Sequence, residues 1–257
     1  MTRHIPFEGI DNFRDFGDYA GRSGRLQRSR LYRSAHHGRA TDADLEKLAG
    51  IGLQVIVDLR RPNEREREPC RRWQGFGAQL IESDIPEDRD DEWRDFVMRS
   101  DHSAESFRRY LIDYYRDAPF WTRHLDLFRR FFLAVAETEG PVLVHCAAGK
   151  DRTGIICALT HHLAGVSEDD IRADYLLTND PERLARRLPL MREHIRELAG
   201  RTPPDEGVLT GMGVDIAYLE EAFAAMRARH GSIDGYLDEA LGLDTRLRER
   251  IHERLLA

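Results

Sequence analysis

The sequence predicts an α/β protein in which a central, mostly parallel sheet is flanked by helices, and three patterns predict it. Four short segments are predicted strands, and the central ones are rich in Val, Ile or Leu, as buried strands of a parallel sheet are. Helical patterns alternate with these segments, which is typical of a three-layer architecture. Beyond Gly165 the chain is predicted to be almost entirely helical. At 257 residues the chain can bury one large core, and we expect a single domain over 1–257.

The predicted strands and helices follow one another in the order of such a fold. Strands are expected over 31–34, 54–58, 79–82 and 142–145. Helices are expected over 41–48, 104–116, 120–137 and 151–164. Thr41 is a typical N-cap residue for the first helix. In the last, Ile155, Ile156, Leu159 and Leu163 form one apolar face that we expect against the sheet.

The C-terminal third is predicted as a series of helices. They are expected to begin at Ser167, Pro181, Ser232 and Asp244. A break rich in turn-forming residues separates the second from the third at 200–207.

The loop between the last strand and its helix carries the most informative residues. His145 to Gly154 read HCAAGKDRTG, which puts the Cys146 thiol and the Arg152 guanidinium in a Cys-x5-Arg spacing. The small residues Ala147, Ala148 and Gly149 allow the backbone N–H groups to curl inward as an anion nest at the positive end of the helix. Such a nest fits a tetrahedral dianion. Together with Lys150 and Arg152, it favours the thiolate form of Cys146.

The functional groups of this loop have distinct expected roles. Cys146 is the candidate nucleophile, and the planar fork of Arg152 can hold two phosphoryl oxygens, more tightly in the transition state. Thr153 can donate its hydroxyl to the sulfur when Cys146 leaves, and His145 can orient the loop through its ring nitrogens. The loop therefore predicts hydrolysis of phosphate monoesters through a phosphocysteine intermediate.

The loop resembles the HC-x5-R-S/T signature of the cysteine-dependent protein tyrosine phosphatase superfamily. Its longer form resembles the bacterial tyrosine and phosphoinositide phosphatase branch related to mycobacterial phosphatase B. Further stretches agree with that branch, at 12–17, 31–35, 57–60 followed by Glu64, and 231–237. The resemblance implies the three-layer phosphatase fold. It also implies phosphotyrosine as substrate, with phosphoserine, phosphothreonine and phosphoinositides as further substrates.

Other classes of protein share parts of this pattern. A Walker loop needs Gly at position 144 and Ser or Thr at 151, but this chain has Val144 and Asp151, so a nucleotide triphosphatase is rejected. A rhodanese-like sulfurtransferase also carries a cysteine loop on an α/β fold and stays as an alternative. A catalytically silent phospho-binding module is the second alternative, although a module that only binds phosphate needs neither the thiol of Cys146 nor the acid of Asp151.

The general acid has two candidates. The superfamily usually takes the proton from an Asp on a mobile loop upstream of the nucleophile, which here favours Asp84. In the branch that this chain resembles, the Asp inside the phosphate loop is thought to serve, which favours Asp151 as the first choice. Asp58, at the end of a central strand where α/β sites gather, can orient the loop or help to position the acid.

Two features bear on substrate choice and access. Of the 39 Lys and Arg residues, Lys47 and Lys150 are the two lysines. A lysine in the phosphate loop is therefore unusual in a chain whose basic residues are otherwise arginine. A flexible ammonium there can meet the extra charge of a phosphoinositide at the mouth of the loop. The resemblance further implies that the helical segment 180–213 is an insertion that covers the site as a lid.

We predict no metal and no cofactor. The adjacent pairs His36-His37 and His161-His162 point apart on a helix or strand and cannot share one ion. Cys70 and Cys157 are interpreted as small core residues. Three cysteines without framework spacing fit a reducing compartment.

Composition and charge bound the location and the partners. The net charge of −7 argues against non-specific binding of nucleic acid. We expect no signal peptide near Met1 and no membrane span, and hence a cytoplasmic location, with export without a signal peptide left open because the family includes exported members. The expected partners are a phosphorylated protein or a phosphoinositide. The oligomeric state is not predicted.

Overall fold

The structure, a computed structural model, describes residues 3–86 and 92–257. Its strands are β1 (Arg14–Asp15), β2 (Ala20–Gly21), β3 (Gly24–Arg25), β4 (Leu31–Ser34), β5 (Val55–Asp58), β6 (Gln79–Ile81) and β7 (Val142–His145). Five of them form one sheet in the order β1-β4-β7-β5-β6, in which β4, β7, β5 and β6 are parallel and β1 is antiparallel. The mostly parallel sheet is therefore confirmed.

The helices of the described residues are α1 (Asp42–Ile51), α2 (Pro62–Arg67), α3 (Glu92–Arg99), α4 (Ala104–Asp117), α5 (Thr122–Glu137), α6 (Asp151–Leu163), α7 (Glu168–Leu176), α8 (Pro181–Ala199), α9 (Asp205–Met212), α10 (Ile216–His230), α11 (Ile233–Glu239) and α12 (Thr245–Leu255). Thr41 caps α1 as predicted, since its side chain accepts from the backbone N–H of Asp44 and the Asp44 carboxylate accepts from the N–H of Thr41. The helices α2, α3, α9 and α10 were not predicted individually, and α9 begins at Asp205, inside the break predicted at 200–207.

Helices cover both faces of the sheet, because the strands present alternate side chains to opposite sides. On one face, Ile56 of β5 and Leu143 of β7 pack with Leu45 and Leu48 of α1. On the other face, the valines of β5 and β7 join a larger core with α5, α6 and the C-terminal helices. The predicted three layers and the helical C-terminal third are confirmed.

A third, smaller apolar cluster lies away from the sheet. It joins α3, α4, α8 and α9 through Val97, Phe107, Ile195, Val208 and Met212. The segment 180–213, which the sequence predicts as a lid, therefore packs in a cluster that it shares with α3 and α4 and that is separate from the core of the sheet.

Among the described residues, no helix combines the length and the apolar character that crossing a bilayer requires.

Candidate active site

The predicted phosphate loop lies at the carboxyl end of the sheet, directly after β7. His145 at the end of β7 is in register with Ser34 of β4 and Asp58 of β5, so the three strands end together beneath the loop. Cys146 is 2% exposed, and α6 begins at Asp151. The strand, loop and helix start that the sequence predicts are all in place.

Gly149 is required by the turn of this loop. Its φ is +64°, a left-handed conformation in which a side chain is strained. A Cβ at this position would lie 2.4 Å from the backbone carbon of Ser34. The loop can follow this path against β4 only with glycine here.

The loop presents donors that the protein itself does not use. Within the described residues, the backbone N–H groups of Ala147, Ala148, Gly149 and Lys150 donate to no protein acceptor. The buried hydroxyl of Thr153 likewise has no hydrogen-bond partner in the described part of the chain. Buried donors of this kind are normally satisfied, so the loop is built to receive an acceptor such as a phosphoryl oxygen.

Two N-terminal stretches hold the loop from behind. The Gly149 carbonyl accepts from Asn12 Nδ2 at 2.7 Å and from Arg33 Nη2 at 3.0 Å. Arg33 and Arg14 both pair with the buried Asp174 carboxylate, at 3.1 and 3.5 Å. Burial alone would raise the pKa of Asp174, but the two guanidinium groups outweigh it and lower the pKa to about 2. This network gives a physical role to the stretches at 12–17 and 31–35.

Arg152 is oriented by a carboxylate that the prediction of site residues missed. Its Nη1 and Nη2 donate to the two carboxylate oxygens of Glu64 at 2.6 and 2.8 Å, and Nη1 also donates to the Leu59 carbonyl at 3.1 Å. Burial opposes ionisation of Glu64, yet Arg152 holds the pKa of that carboxyl well below its usual range. The signal in the sequence was the position of Glu64 behind the 57–60 stretch.

Asp58 lies beside His145, the residue that precedes the nucleophile. Both of its oxygens accept from Arg60, with Nη2 to Oδ2 at 2.7 Å, and His145 Nε2 lies 3.7 Å from Oδ2. Burial would lower the pKa of His145, but Asp58 and the Cys70 sulfur together outweigh it and raise the pKa. Since His145 Nδ1 lies 3.4 Å from the Cys146 carbonyl, the structure places Asp58 where it can orient the nucleophile loop through His145.

Cys70 differs from its interpretation as a core residue. Its sulfur accepts from Arg60 Nη2 at 3.0 Å and from the His37 N–H at 3.3 Å, and the residue is only half-buried. Burial raises the pKa of this thiol, but His145 and Arg60 outweigh burial and lower the pKa to about 7. Cys157, by contrast, is buried among apolar residues as predicted.

Cys70, Asp58 and His145 are also the three potential metal ligands that the described residues bring together, within 4.8 Å of one another. The Arg60 guanidinium already occupies both the Asp58 carboxylate and the Cys70 sulfur. A cation there would face that guanidinium, so we keep the prediction that the site holds no metal.

The two candidate acids occupy different environments. Asp151 lines the same cavity as Cys146, and its Oδ1 accepts from Tyr115 Oη at 2.9 Å. The side chain of Asp84 is 85% exposed and pairs with Arg65, and it does not line that cavity. The geometry of the described residues favours Asp151. The sequence also has an acidic run next to Asp84, at 87–92, which lies outside the described residues except for Glu92.

Lys150 is placed differently from its prediction as a flexible donor at the mouth. It is 4% exposed, and its Nζ donates to the Gly211 carbonyl of α9 at 2.5 Å and lies 3.4 Å from Asp151 Oδ1. Burial lowers its pKa from the usual value. Lys150 therefore links the phosphate loop to the helices above it.

A cavity of about 410 Å³ opens onto Cys146 and the loop. Its cationic side chains are Arg39, Arg61, Arg67, Lys150, Arg152, Arg183 and Arg187, and its carboxylates are Asp11, Glu64, Glu68 and Asp151. This surplus of three positive charges contrasts with the net charge of −7 of the whole chain. Apolar side chains from α3, α4, α8 and α9 form much of the remaining wall.

Comparison with known proteins agrees with this geometry. A sequence profile described as the tyrosine phosphatase family matches residues 5–257. A Cupriavidus necator protein, whose name assigns it provisionally to the tyrosine-protein phosphatases, is 33% identical over 94% of this chain and 86% of its own length. The triple specificity protein phosphatase PtpB of Mycobacterium tuberculosis is 32% identical over 93% of this chain and 94% of its own length.

A tyrosine-protein phosphatase of Nostoc commune is 31% identical over 87% of this chain and 73% of its own length. The family profile spans the phosphate loop and the stretches that support it, and none of the three names favours a sulfurtransferase or a catalytically silent phospho-binding module. The chain belongs to the tyrosine phosphatase family.

Proposed function

We propose that this protein hydrolyses phosphotyrosine through a phosphocysteine intermediate on Cys146. One observation carries the proposal. A buried thiol lies at the start of a loop whose N–H groups are unused by the protein, and the same cavity holds an arginine fixed by a bidentate carboxylate. A dianionic phosphoryl group satisfies those N–H groups and the outward edge of Arg152 together.

In the first step, the Cys146 sulfur attacks phosphorus, a bond forms between sulfur and phosphorus, and the ester oxygen leaves. Asp151 gives its proton to that oxygen as the bond to phosphorus breaks. In the second step, water attacks the phosphocysteine and gives a proton to the Asp151 carboxylate, while the bond between sulfur and phosphorus breaks. Thr153, whose hydroxyl has no partner among the described residues, donates to the departing sulfur.

The apolar wall supports an aromatic substrate. Trp93, Phe107, Tyr110 and Tyr114 line the cavity on the side of α3 and α4, where they can pack on a phenyl ring held above the loop. Serine and threonine phosphates offer no ring to this wall, so we expect their turnover to be lower.

The surplus of positive charge favours phosphoinositides as a second class of substrate. Arg39, Arg67 and Arg187 line the cavity in addition to the groups of the phosphate loop. A tyrosine phosphate brings a single dianion, whereas an inositol ring with neighbouring phosphates brings charge for these side chains as well.

The helices α8 and α9 are proposed as the lid within a single domain. They contribute Leu190, Met191 and Met212 to the wall of the cavity, and their apolar cluster is separate from that of the sheet. Lys150 joins them to the loop at Gly211. The absence of nucleic-acid partners and the cytoplasmic location stay predictions of the sequence.

Turnover of para-nitrophenyl phosphate by the wild type and by Cys146→Ser tests the proposal. We expect the wild type to be active, inhibited by vanadate and indifferent to EDTA, and the variant to be inactive while still binding phosphate. Substantial activity in the variant would exclude the phosphocysteine mechanism. Loss of wild-type activity on chelation would indicate a metallophosphatase, and thiosulfate–cyanide transfer without phosphate release would indicate a sulfurtransferase.

A further inference from the structure

Two buried phenols, those of Tyr115 and Tyr175, form a hydrogen-bonded series that ends on the carboxyl group of Asp151, and we call this series the relay. Tyr115 Oη donates to Asp151 Oδ1 at 2.9 Å, and Tyr175 Oη donates to Tyr115 Oη at 2.8 Å. Tyr115 is 0% exposed and Tyr175 is 1% exposed. We propose that Tyr115 and Tyr175 are positioning residues that fix the Asp151 carboxyl and determine which of its oxygens carries the proton for the leaving group. This inference rests on the proposed role of Asp151 as the acid.

The direction of the hydrogen bonds follows from the groups involved. A carboxylate oxygen accepts only, so the proton between Tyr115 and Asp151 belongs to Tyr115. The Tyr115 oxygen is then free to accept from Tyr175. Burial raises the pKa of both phenols well above 10.0, so both stay protonated, and both remain donors over the range in which an enzyme of this kind works.

The relay also distinguishes the two oxygens of Asp151. Lys150 Nζ lies 3.4 Å from Oδ1, the same oxygen that Tyr115 contacts. In the described part of the structure, no hydrogen bond engages Oδ2 of Asp151. Since Oδ1 accepts from one donor and faces a second, the acid form carries its proton on Oδ2.

Catalysis then uses the two oxygens differently. Oδ2 gives its proton to the ester oxygen as the bond from that oxygen to phosphorus breaks, and Oδ1 keeps its contact with Tyr115. The negative charge that appears on Asp151 is shared with an oxygen that already accepts a hydrogen bond. The carboxylate is therefore held in place to take a proton from the water of the second step.

The relay also explains the last residue of the loop motif. Gly154 lies within α6, and its φ is not among the positive values of the chain, so its conformation does not require glycine. A Cβ at this position would lie 2.9 Å from Cε2 of Tyr175 and 3.1 Å from Cδ2. Gly154 thus gives Tyr175 the room to reach Tyr115.

Tyr115→Phe tests the relay, with phenyl phosphate as the poor leaving group and para-nitrophenyl phosphate as the better one. We expect kcat/KM to fall roughly three- to tenfold for phenyl phosphate, the range of one lost hydrogen bond, and much less for para-nitrophenyl phosphate. The basic limb of the pH profile should move to higher pH, because the carboxylate loses a donor. Tyr175→Phe and Gly154→Ala should give the same signature at smaller size.

Tyr218→Phe is the matched control, because its ring lies 5.8 Å from that of Tyr115 and it is outside the relay; we expect the wild-type profile. A Tyr115→Phe profile equal to the wild type for both substrates would overturn the relay if Asp151→Asn, measured in parallel, shows the dependence on leaving group. If Asp151→Asn shows no such dependence, the proposed acid itself is wrong, and the relay is overturned with it. A thermal melt of each variant distinguishes loss of folding from loss of positioning. If Tyr115→Phe does not fold, Tyr175→Phe takes its place in the test.

Discussion

The phosphate loop and the helices α8 and α9 line the same cavity, but they are held in opposite ways. Lys150 is 4% exposed and Arg152 is 7% exposed; buried Arg33 holds the loop, and half-buried Glu64 holds its arginine. In α8, by contrast, Leu190 is 51% exposed, and Arg183 and Ile195 are the residues of that helix that are buried.

This difference assigns catalysis to the phosphate loop, and access of substrates to the helices α8 and α9. A rigid loop aims its donors before substrate arrives, which is the main source of electrostatic catalysis. The proposed lid, α8 and α9, packs in a small cluster that it shares with α3 and α4, separate from the core of the sheet, so we expect it to adjust to substrates of different size without moving the loop. We therefore expect substitutions around the loop to lower turnover of every substrate, and substitutions in the proposed lid to change the preference among substrates.

Asp151→Asn should have the largest of the graded effects on activity. Removal of a general acid typically costs on the order of 10²–10⁴ in rate, and the loss should be far greater for phenyl phosphate than for para-nitrophenyl phosphate. The basic limb of the pH profile should flatten. Asp84→Asn is the control and should do little; the reverse pattern would restore the usual mobile-loop acid and leave Asp151 a structural role.

Arg152→Ala should lower both turnover and phosphate affinity, with kcat/KM down on the order of 10²–10³ or more. Glu64→Gln keeps the size of the side chain that fixes Arg152 but removes its charge, so we expect a smaller loss in the same direction. Steady-state kinetics with vanadate titration measures both. Glu66→Gln, exposed on the same helix α2, is the control, and a Glu64→Gln variant equal to it would contradict the role given to Glu64.

Asp174→Asn should destabilise the support of the loop. It leaves Arg14 and Arg33 buried without their carboxylate, a change that costs about 3–5 kcal/mol in free energy of unfolding. Because the folded-state pKa of Asp174 is lowered from 3.8 to about 2, its contribution is complete above pH 4 and is lost as the pH falls through about 2.

Urea unfolding at neutral and acidic pH measures this contribution, and the gap between wild type and variant should narrow at the acidic end. Asp113→Asn, at an exposed pair with Arg116, should change the free energy of unfolding by no more than about 0.5 kcal/mol. Equal stability of the Asp174→Asn variant and the wild type would mean that the buried network does not support the loop.

Lys150→Ala tests the connection between the two regions and should have the smallest effect on phosphotyrosine. Removal of one positive charge from the cavity wall, together with the charge-assisted hydrogen bond to Gly211, should lower phosphoinositide turnover about tenfold, with a smaller loss on phosphotyrosine peptides, which bring less charge. The wild-type lipid reaction should also depend more steeply on salt. Amide hydrogen exchange should rise in α8 and α9, which lose the bond at Gly211.

Lys47→Ala is the natural control, since it removes the other lysine and lies outside the cavity. Equal losses of both activities in Lys150→Ala would mean that Lys150 serves only the shared phosphoryl group. Phosphotyrosine would then be the better-supported substrate.

The regions differ again in how far the sequence predicts them. The loop was predicted residue by residue because its functional groups are contiguous, and the central strands β5 and β7 were placed correctly because Val, Ile and Leu fill every position but the last. The two-residue strands β1, β2 and β3 were missed, since they are too short for any periodicity to be visible.

Local sequence patterns could not predict which distant residues contact the loop. Arg152 and Glu64 are 88 positions apart, Tyr115 and Asp151 are 36 apart, and Asn12 and Gly149 are 137 apart. Nothing in the composition around Tyr115 distinguishes a phenol that contacts the acid from one that packs in the core. Lys150 was predicted at the mouth because the loop alone does not reveal that α9 covers it.

Trapping of the phosphoenzyme tests the central claim most directly. Asp151→Asn lacks the base for the second step, so rapid quenching during turnover of para-nitrophenyl phosphate should accumulate a single phosphoryl group on the protein. Peptide mass spectrometry should locate it on Cys146, and Cys146→Ser should carry none. Phosphate on any other residue, or none during active turnover, would contradict a phosphocysteine mechanism at this loop.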